Sequence, residues 1–329
     1  MSADQAPEAL AAGLARRLGG AVGDLKRLSG GASQQTWAFT LDGLPLILRR
    51  APPGAASRSG LSAGLATEAG LLALAGRHGL PVPQVHTVLA ESDGLGDGYV
   101  MQRLEGQTLG RRIATDPALA AAREHLAFDC GRALARLHAI PDGQITPALR
   151  RASPADELAH HRDWHARHGT ARPVFQLALR WLEHHCPPPP AREVLVHGDF
   201  RNGNLMVGPD GLRGVLDWEL AHRGDAMEDL GWMLVASWRF GEVALEAGGF
   251  GTRAQLLAGY EAAGGQVDAA RVHWWQVMGT LKWGVICESM LASWLAGAEP
   301  EIEKAAIGRR ASETELDLLD LLCPRTAHA

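Results

Sequence analysis

The sequence predicts an α+β protein of two lobes, in which a small antiparallel sheet precedes a larger, mainly helical part. Three observations predict this class. The chain has 329 residues, which is more than one small core needs and suits two lobes. Short strand-like segments joined by tight turns occupy the N-terminal third, and longer segments with helical periodicity fill most of the rest. We place the boundary at a hinge near residue 104, so that the lobes are 1–103 and 104–329.

The N-terminal lobe begins with an amphipathic helix at 8–18 and contains a second helix at 65–77. The turn Asp42-Gly43 is the dipeptide that favours a hairpin between two strands. A Pro-, Gly- and Ser-rich segment at 51–64 is predicted to be a mobile loop. The predicted strands are 22–28, 36–41, 46–49, 85–90 and 99–103.

The C-terminal lobe is predicted to be helical, with a few short strands in its middle. The run Pro187 to Pro190 ends one of its helices. The predicted helices are 118–138, 154–167, 173–185, 226–239, 252–263, 267–295 and 300–322, and the predicted strands are 194–196, 205–207 and 214–216. This order leaves a cleft between the two lobes, which is a usual place for a ligand.

Composition excludes several classes of protein. The chain is 46% hydrophobic and 21% charged, as in ordinary globular proteins, and its net charge of −5 does not favour nucleic acid. The four cysteines lie far apart without a CxxC pair, which argues against a zinc site or a disulfide framework. No signal peptide or long apolar segment is evident, so we expect a cytoplasmic protein without a membrane partner. The oligomeric state cannot be read from the sequence.

The strongest chemical signal is the segment VLVHGDFRNGNLMV, in which two apolar strands flank a polar loop. Asp199 and Asn204 lie in this loop, and Asp217 ends the next apolar strand. Such a loop can direct a carboxylate at a substrate hydroxyl and an amide oxygen at a metal. Mg²⁺ prefers a few oxygen ligands together with water and phosphate oxygens, so Asn204 and Asp217 are candidate ligands.

The spacing of Asp199, Asn204 and Asp217 resembles that of the protein-kinase-like superfamily. The form HGDFRNGN resembles the aminoglycoside phosphotransferase family. The segments LDWELAHRGDAMEDLGWML at 216–234 and LRRAPPG at 48–54 are similar to phosphotransferases associated or fused with acyl-CoA dehydrogenases. The resemblance covers about residues 25–235. It implies a bilobal kinase-like fold and transfer of phosphate from ATP or GTP to a hydroxyl group of a small molecule.

The resemblance also implies roles for individual residues. Asp199 would orient or deprotonate the acceptor hydroxyl, Asn204 and Asp217 would hold Mg²⁺, and His197 would brace the loop. Residues of two segments would bind the nucleotide, namely Gly30, Gly31 and Ser33 in the loop over the phosphates, and Met101, Gln102 and Leu104 in the hinge strand.

The sequence departs from the kinase pattern on the third strand, where Arg49 stands in place of the usual lysine. Its predicted partner is Glu68 on the following helix. Arginine can contact phosphate through two hydrogen bonds, so the role is chemically available. Glu219 is a candidate for contact with substrate, and Asp225 is predicted to support the surrounding loop.

The acceptor is less well specified than the donor. By resemblance we expect a hydroxylated metabolite, such as a hydroxy acid or its acyl thioester. Two alternatives stay open, an aminoglycoside O-phosphotransferase and a catalytically silent nucleotide-binding regulator. Six tryptophans of the C-terminal lobe could belong either to its core or to the wall of the acceptor site, namely Trp232, Trp238, Trp274, Trp275, Trp283 and Trp294. Four histidines of one helix are predicted to form a polar face, namely His160, His161, His165 and His168.

Overall fold

A computed structural model describes residues 7–30, 34–51, 62–298 and 301–323. Its N-terminal part contains a five-stranded, fully antiparallel sheet in the order β1-β2-β3-β5-β4. The strands are β1 (Val22–Gly30), β2 (Gln35–Leu41), β3 (Leu44–Arg50), β4 (Val85–Val88) and β5 (Gly98–Gln102). The predicted sheet of hairpins is therefore confirmed.

The hairpin between β2 and β3 follows from its turn residues. Asp42 and Gly43 both have positive φ angles, 50° and 85°, as a two-residue hairpin requires. The strands then pair from Leu41 and Leu44 onward, so alternate side chains face opposite sides of the sheet. One face packs on helix α1 (Pro7–Leu18) through a small apolar core of Leu10, Leu14, Trp37, Phe39, Leu46, Leu48 and Val100. The other face carries Arg49.

Helices dominate the part of the chain that follows the sheet. They are α2 (Leu65–Arg77), α3 (Gly110–Thr115), α4 (Ala120–His138), α5 (Pro154–His168), α6 (Pro173–His184), α7 (Met227–Met233), α8 (Arg253–Ala262), α9 (Ala269–Leu295), α10 (Ile302–Gly308) and α11 (Ala311–Leu322). Four short strands accompany them, β6 (Val194–Val196), β7 (Leu205–Gly208), β8 (Gly211–Val215) and β9 (His222–Gly224), which pair as β6–β9 and β7–β8. The large core lies around α4 and α9.

Two predicted helices were too long. The helix predicted at 226–239 ends at Met233, because the side chains of Gln276 and Arg239 hydrogen-bond the carbonyl of Leu234 at 3.0 and 3.2 Å. The helix predicted at 300–322 is two helices with a break after Gly308. A Cβ added there would lie 2.6 Å from that of Leu291, so this turn lies directly against α9.

The histidines of α5 also differ from the prediction of a polar face. His161 and His165 are buried. The Nδ1 atom of His165 lies 2.8 Å from Glu288 of α9, which also accepts hydrogen bonds from Thr170 and Arg172. This buried group of polar residues fixes α5 and the start of α6 against α9, and so positions one wall of the region beside the polar loop.

Within the described ranges, every helix is too short or too polar to span a bilayer.

Candidate active site

The polar loop that follows β6 holds Asp199 in one orientation. Its Oδ1 atom accepts hydrogen bonds from Trp232 Nε1 at 2.8 Å and from Arg201 Nε at 2.9 Å. Its Oδ2 atom accepts one from Asn204 Nδ2 at 2.6 Å. The carboxylate keeps acceptor capacity on Oδ2, since each oxygen can take two hydrogen bonds. Asp199 is therefore oriented in advance, which is what a group acting on a substrate hydroxyl needs.

The backbone of this loop is held from the core side by Asp229 of α7. Its carboxylate accepts the N–H groups of His197 at 2.9 Å and Gly198 at 3.0 Å, and lies 3.1 Å from His138 Nε2. The His197 ring lies between Leu216 O, 3.0 Å from Nε2, and the Asp199 amide, which donates to Nδ1 at 3.2 Å. His197 thus links the loop to the segment before Asp217.

Asp229→Asn is expected to destabilise the fold by about 3 kcal/mol, because its amide group would face donors that now share a carboxylate. Burial opposes ionisation, but the hydrogen bond and charge of His138 lower the pKa of Asp229 below its ordinary value. The stabilisation that the variant loses is therefore present above the unfolded-state pKa and disappears as pH falls through the folded-state pKa. Urea unfolding at neutral and acidic pH measures both effects.

The control for this prediction is Asp163→Asn, which changes an exposed aspartate on α5. We expect this control to shift stability by less than about 0.5 kcal/mol. An Asp229→Asn protein as stable as the control would contradict the bracing role.

A second group of charges lies at the edge of the sheet, where three carboxylates surround Arg49. The guanidinium lies 2.6 Å from Asp217, 3.2 Å from Glu68 and 3.6 Å from Glu219. Asp217 reaches this position with a φ of 62°, a left-handed conformation that aspartate tolerates better than most residues. One cation among three carboxylates leaves an excess of negative charge, which a divalent cation could offset.

Burial decides the electrostatics of this group. Glu68 is fully buried, and desolvation, reinforced by Asp217 and Glu219, raises its pKa to about 7 even though Arg49 acts in the opposite direction. Burial also disfavours the charged form of Arg49, but Asp217 and Glu68 outweigh it and raise the pKa of Arg49 above its ordinary value. Arg49 therefore stays charged and is held where it can meet phosphate oxygens.

A cleft of about 440 Å³ opens from these residues toward the end of β5. Its polar end contains Arg49, Asn204 and Asp217, and its far end is largely apolar. The hinge-strand residues Met101, Gln102 and Leu104 line it, together with Leu28, Ile47, Leu72, Met206 and Leu216. The N–H of Gln102 donates to Gln84 O at 2.8 Å, so only its carbonyl is left for the predicted contact with adenine.

The other predicted site residues have the following positions. Gly30 ends β1, paired with Gln35, whereas Gly31 and Ser33 lie outside the described residues. Asp225 lies away from the cleft, where it accepts hydrogen bonds from Arg271, Trp275 and the amide of Met227. Trp274 and Trp275 belong to the core, so they cannot wall an acceptor site.

Sequence reasoning missed two contacts of the loop. Arg201 binds Asp199 and lies 4.7 Å from the ring of Trp238, and Lys282 of α9 donates to Gly198 O at 3.3 Å. Arg201 stands two residues from Asp199 and could have been proposed from that spacing. No local signal connects Lys282 to the loop.

Comparison with known proteins identifies the family. The model of the phosphotransferase enzyme family matches residues 24–274, most of the chain. The chain belongs to this family. Enzymes of this family transfer phosphate to hydroxyl groups of small molecules, so the predicted family and enzyme class are confirmed.

Solved structures agree on the fold. A putative aminoglycoside phosphotransferase from Ralstonia eutropha JMP134 superimposes with a TM-score of 0.74 at 20% identity, over 95% of this phosphotransferase and 97% of that chain. An aminoglycoside phosphotransferase crystallised with AMP-PNP and hygromycin B gives 0.64 at 18% identity, over 95% and 99%. The kinase-like fold is thus confirmed.

A curated relative supports the narrower likeness. Mouse acyl-CoA dehydrogenase family member 10 is 28% identical to this phosphotransferase over 225 residues, which are 65% of the chain. The chain spans only about a fifth of the length of that relative.

Proposed function

We propose that this phosphotransferase moves the γ-phosphate of ATP, or of GTP, onto the hydroxyl of a metabolite. The observation that carries the proposal is that Arg49, Asn204 and Asp217 meet at the polar end of one cleft, while Asp199 lies beside it, hydrogen-bonded to Asn204. Phosphoryl transfer depends mainly on positioning and charge neutralisation, and this set supplies an oriented carboxylate, a guanidinium and two oxygen ligands.

The nucleotide would lie with its base between the apolar walls of the cleft and its phosphates near Arg49. An aminoglycoside phosphotransferase of the same fold binds AMP-PNP, which supports ATP as donor. The predicted division follows this assignment, with residues 1–103 holding the nucleotide and residues 104–329 holding the acceptor. Arg49 would bind the phosphate oxygens of the nucleotide, while Glu68 holds its guanidinium in place.

The residues at the polar end also fit a magnesium ion. No group of three His, Cys, Asp or Glu side chains in the described ranges could hold a metal alone, so phosphate oxygens would have to complete the shell. Asn204 lines the cleft and donates its amide hydrogens to Asp199, so its Oδ1 is not used in that contact. With Asp217 it would hold Mg²⁺, which when bound neutralises charge on the phosphates.

The acceptor that we propose is a hydroxylated metabolite, with a hydroxy acid or its acyl thioester as the first candidates. The likeness to acyl-CoA dehydrogenase family member 10 supports this class. The aminoglycoside alternative has less support from the residues near Asp199, because Arg201 and Lys282 place positive charge where a polyamine would lie. The regulatory alternative rests on Arg49 replacing the usual lysine.

Nucleotide binding and turnover separate these possibilities. ATP is expected to raise the melting temperature, and the rise should be larger with Mg²⁺ present. ATP consumption should then depend on an added acceptor in a screen of hydroxy acids, hydroxyacyl thioesters and aminoglycosides. Mg²⁺-dependent binding without consumption with any acceptor would favour the regulatory alternative, and no nucleotide effect would contradict the proposal.

A further inference from the structure

A second cavity of about 200 Å³ lies beside the polar loop and begins at Gly198, the residue before Asp199. Helices α5 and α9 form its walls, and the segment from Leu220 to His222 closes it. The residues that matter for its chemistry are Arg150, Glu157, His161, Trp164 and Lys282. The nucleotide cleft does not include any of them.

Lys282 is the cation that sets the character of this cavity. It is half-buried on α9, its Nζ donates to Gly198 O at 3.3 Å, and it lies 4.7 Å from the centre of the Trp232 ring. No carboxylate in the described part of the chain is within ion-pair distance of it. A partly desolvated ammonium that is not in direct contact with a carboxylate is a favourable position for an anion.

The remaining charges of the cavity nearly cancel. Glu157 lies 2.5 Å from Arg150 and 3.6 Å from His161, so its charge is offset within the wall. His222 is hydrogen-bonded to Glu228 at 3.2 Å and forms a further internal pair. Lys282 also interacts electrostatically with Glu157, but two cations, Arg150 and Lys282, face this one carboxylate. One positive charge is therefore left over, and the cavity should attract an anion and repel a polyamine.

Other donors of the wall point to oxygen as the ligand atom. Trp164 Nε1 and Arg150 Nε are buried and have no hydrogen-bond partner among the described residues. Both groups can only donate. A buried donor without a partner destabilises the fold, and a ligand oxygen could recover that cost after a small side-chain adjustment. His161, only 5% exposed, also has an unpartnered ring nitrogen here.

We propose that this cavity binds the carboxylate of the acceptor, with Lys282 as its counter-ion, so that the acceptor is a small hydroxy acid rather than a thioester or an amine. This inference rests on the proposed function. Trp232 links the cavity to Asp199. Lys282 packs on the Trp232 ring, and the N–H of the same ring donates to Asp199 Oδ1. A carboxylate on Lys282 would lie beside Gly198, the residue before Asp199, so that a hydroxyl a few bonds away would be directed toward Asp199.

The test compares acids with their uncharged amides in the wild type and in Lys282→Met. Glycolate, lactate, 3-hydroxybutyrate and 4-hydroxybutyrate, each beside its primary amide, are titrated calorimetrically and then assayed as acceptors with MgATP. Methionine keeps the length that packs on Trp232 but removes the charge. Lys26→Met removes the same charge from an exposed position on β1 and serves as the matched control.

We expect the wild type to bind at least one acid more tightly than its amide. Lys282→Met should weaken the binding of that acid by about 10- to 100-fold, which is the contribution of one charged hydrogen bond. Binding of the amide should change far less, and Lys26→Met should change neither. Equal binding of acids and amides by the wild type, or no binding of either, would overturn the inference. An equal loss for acid and amide in Lys282→Met would reveal a merely structural lysine and overturn it too.

Calorimetry tests the anion site and the turnover assay tests the proposed function, so the two proposals can be contradicted separately. Lys282-dependent binding of an acid without phosphorylation of any acceptor would leave the anion site in place and contradict the proposed function. Phosphorylation of amides as efficiently as acids would support the proposed function and contradict the anion site.

Discussion

Replacing Asp199 with alanine is expected to abolish phosphoryl transfer while nucleotide binding stays nearly intact. A positioned carboxylate that orients or deprotonates the acceptor contributes about 10²–10⁴-fold, so single-turnover transfer should fall by that factor. The nucleotide should still bind, because Asp199 contacts Arg201, Trp232 and Asn204 but does not line the nucleotide cleft.

Two further variants make this prediction specific. Alanine leaves the donors of Arg201 and Trp232 without an acceptor, so Asp199→Asn, which keeps the side-chain size, should show the same loss of transfer. Asp210→Asn changes an exposed aspartate in the turn between β7 and β8 and should keep full activity. Wild-type activity in either Asp199 variant would refute the assignment, and so would an equal loss in Asp210→Asn.

Asp217→Asn is expected to remove the Mg²⁺-dependent part of nucleotide binding and to lower transfer by about 10²-fold or more. Asparagine is the informative substitution, because it tolerates the left-handed backbone at φ 62° that alanine would strain. A neutral amide is a much weaker magnesium ligand than a carboxylate. The readout is the nucleotide-induced shift in melting temperature with and without Mg²⁺, which does not require turnover.

Glu219→Gln provides the matched control, since it removes a charge from the same group around Arg49. If Asp217 acts as a ligand, the control keeps its response to Mg²⁺ while Asp217→Asn loses it. Equal losses in the two variants would indicate a general effect of charge, and the predicted role of Asp217 as a ligand would be wrong.

Arg49 pairs directly with Asp217. The guanidinium of Arg49 lies 2.6 Å from the Asp217 carboxylate, which is the group that we propose as a metal ligand. Binding of MgATP would therefore exchange partners, with Arg49 passing to phosphate and Asp217 to the metal. Arginine suits this exchange because its planar group can keep Glu68 on one edge while another edge changes partner.

Local signals explain which parts of the site could be predicted. Asp199 and Asn204 share one loop between two strands, so their spacing alone brings them together, and the structure has them 2.6 Å apart. The Asp42-Gly43 turn likewise determines the register of its hairpin. Helix ends were harder to predict, because α7 ends where side chains from Gln276 and Arg239 bind a carbonyl.

By itself, the sequence determined the order of most strands and helices, the family and the loop that carries Asp199, but it did not predict α3 or β9. Only the tertiary structure decided which distant side chains complete the site. Trp232 and Lys282 reach the loop from helices that are remote in the chain, and Glu68 acquires its raised pKa only because packing excludes water. Local patterns encode backbone geometry, whereas burial and unpaired charge depend on elements that meet only after folding.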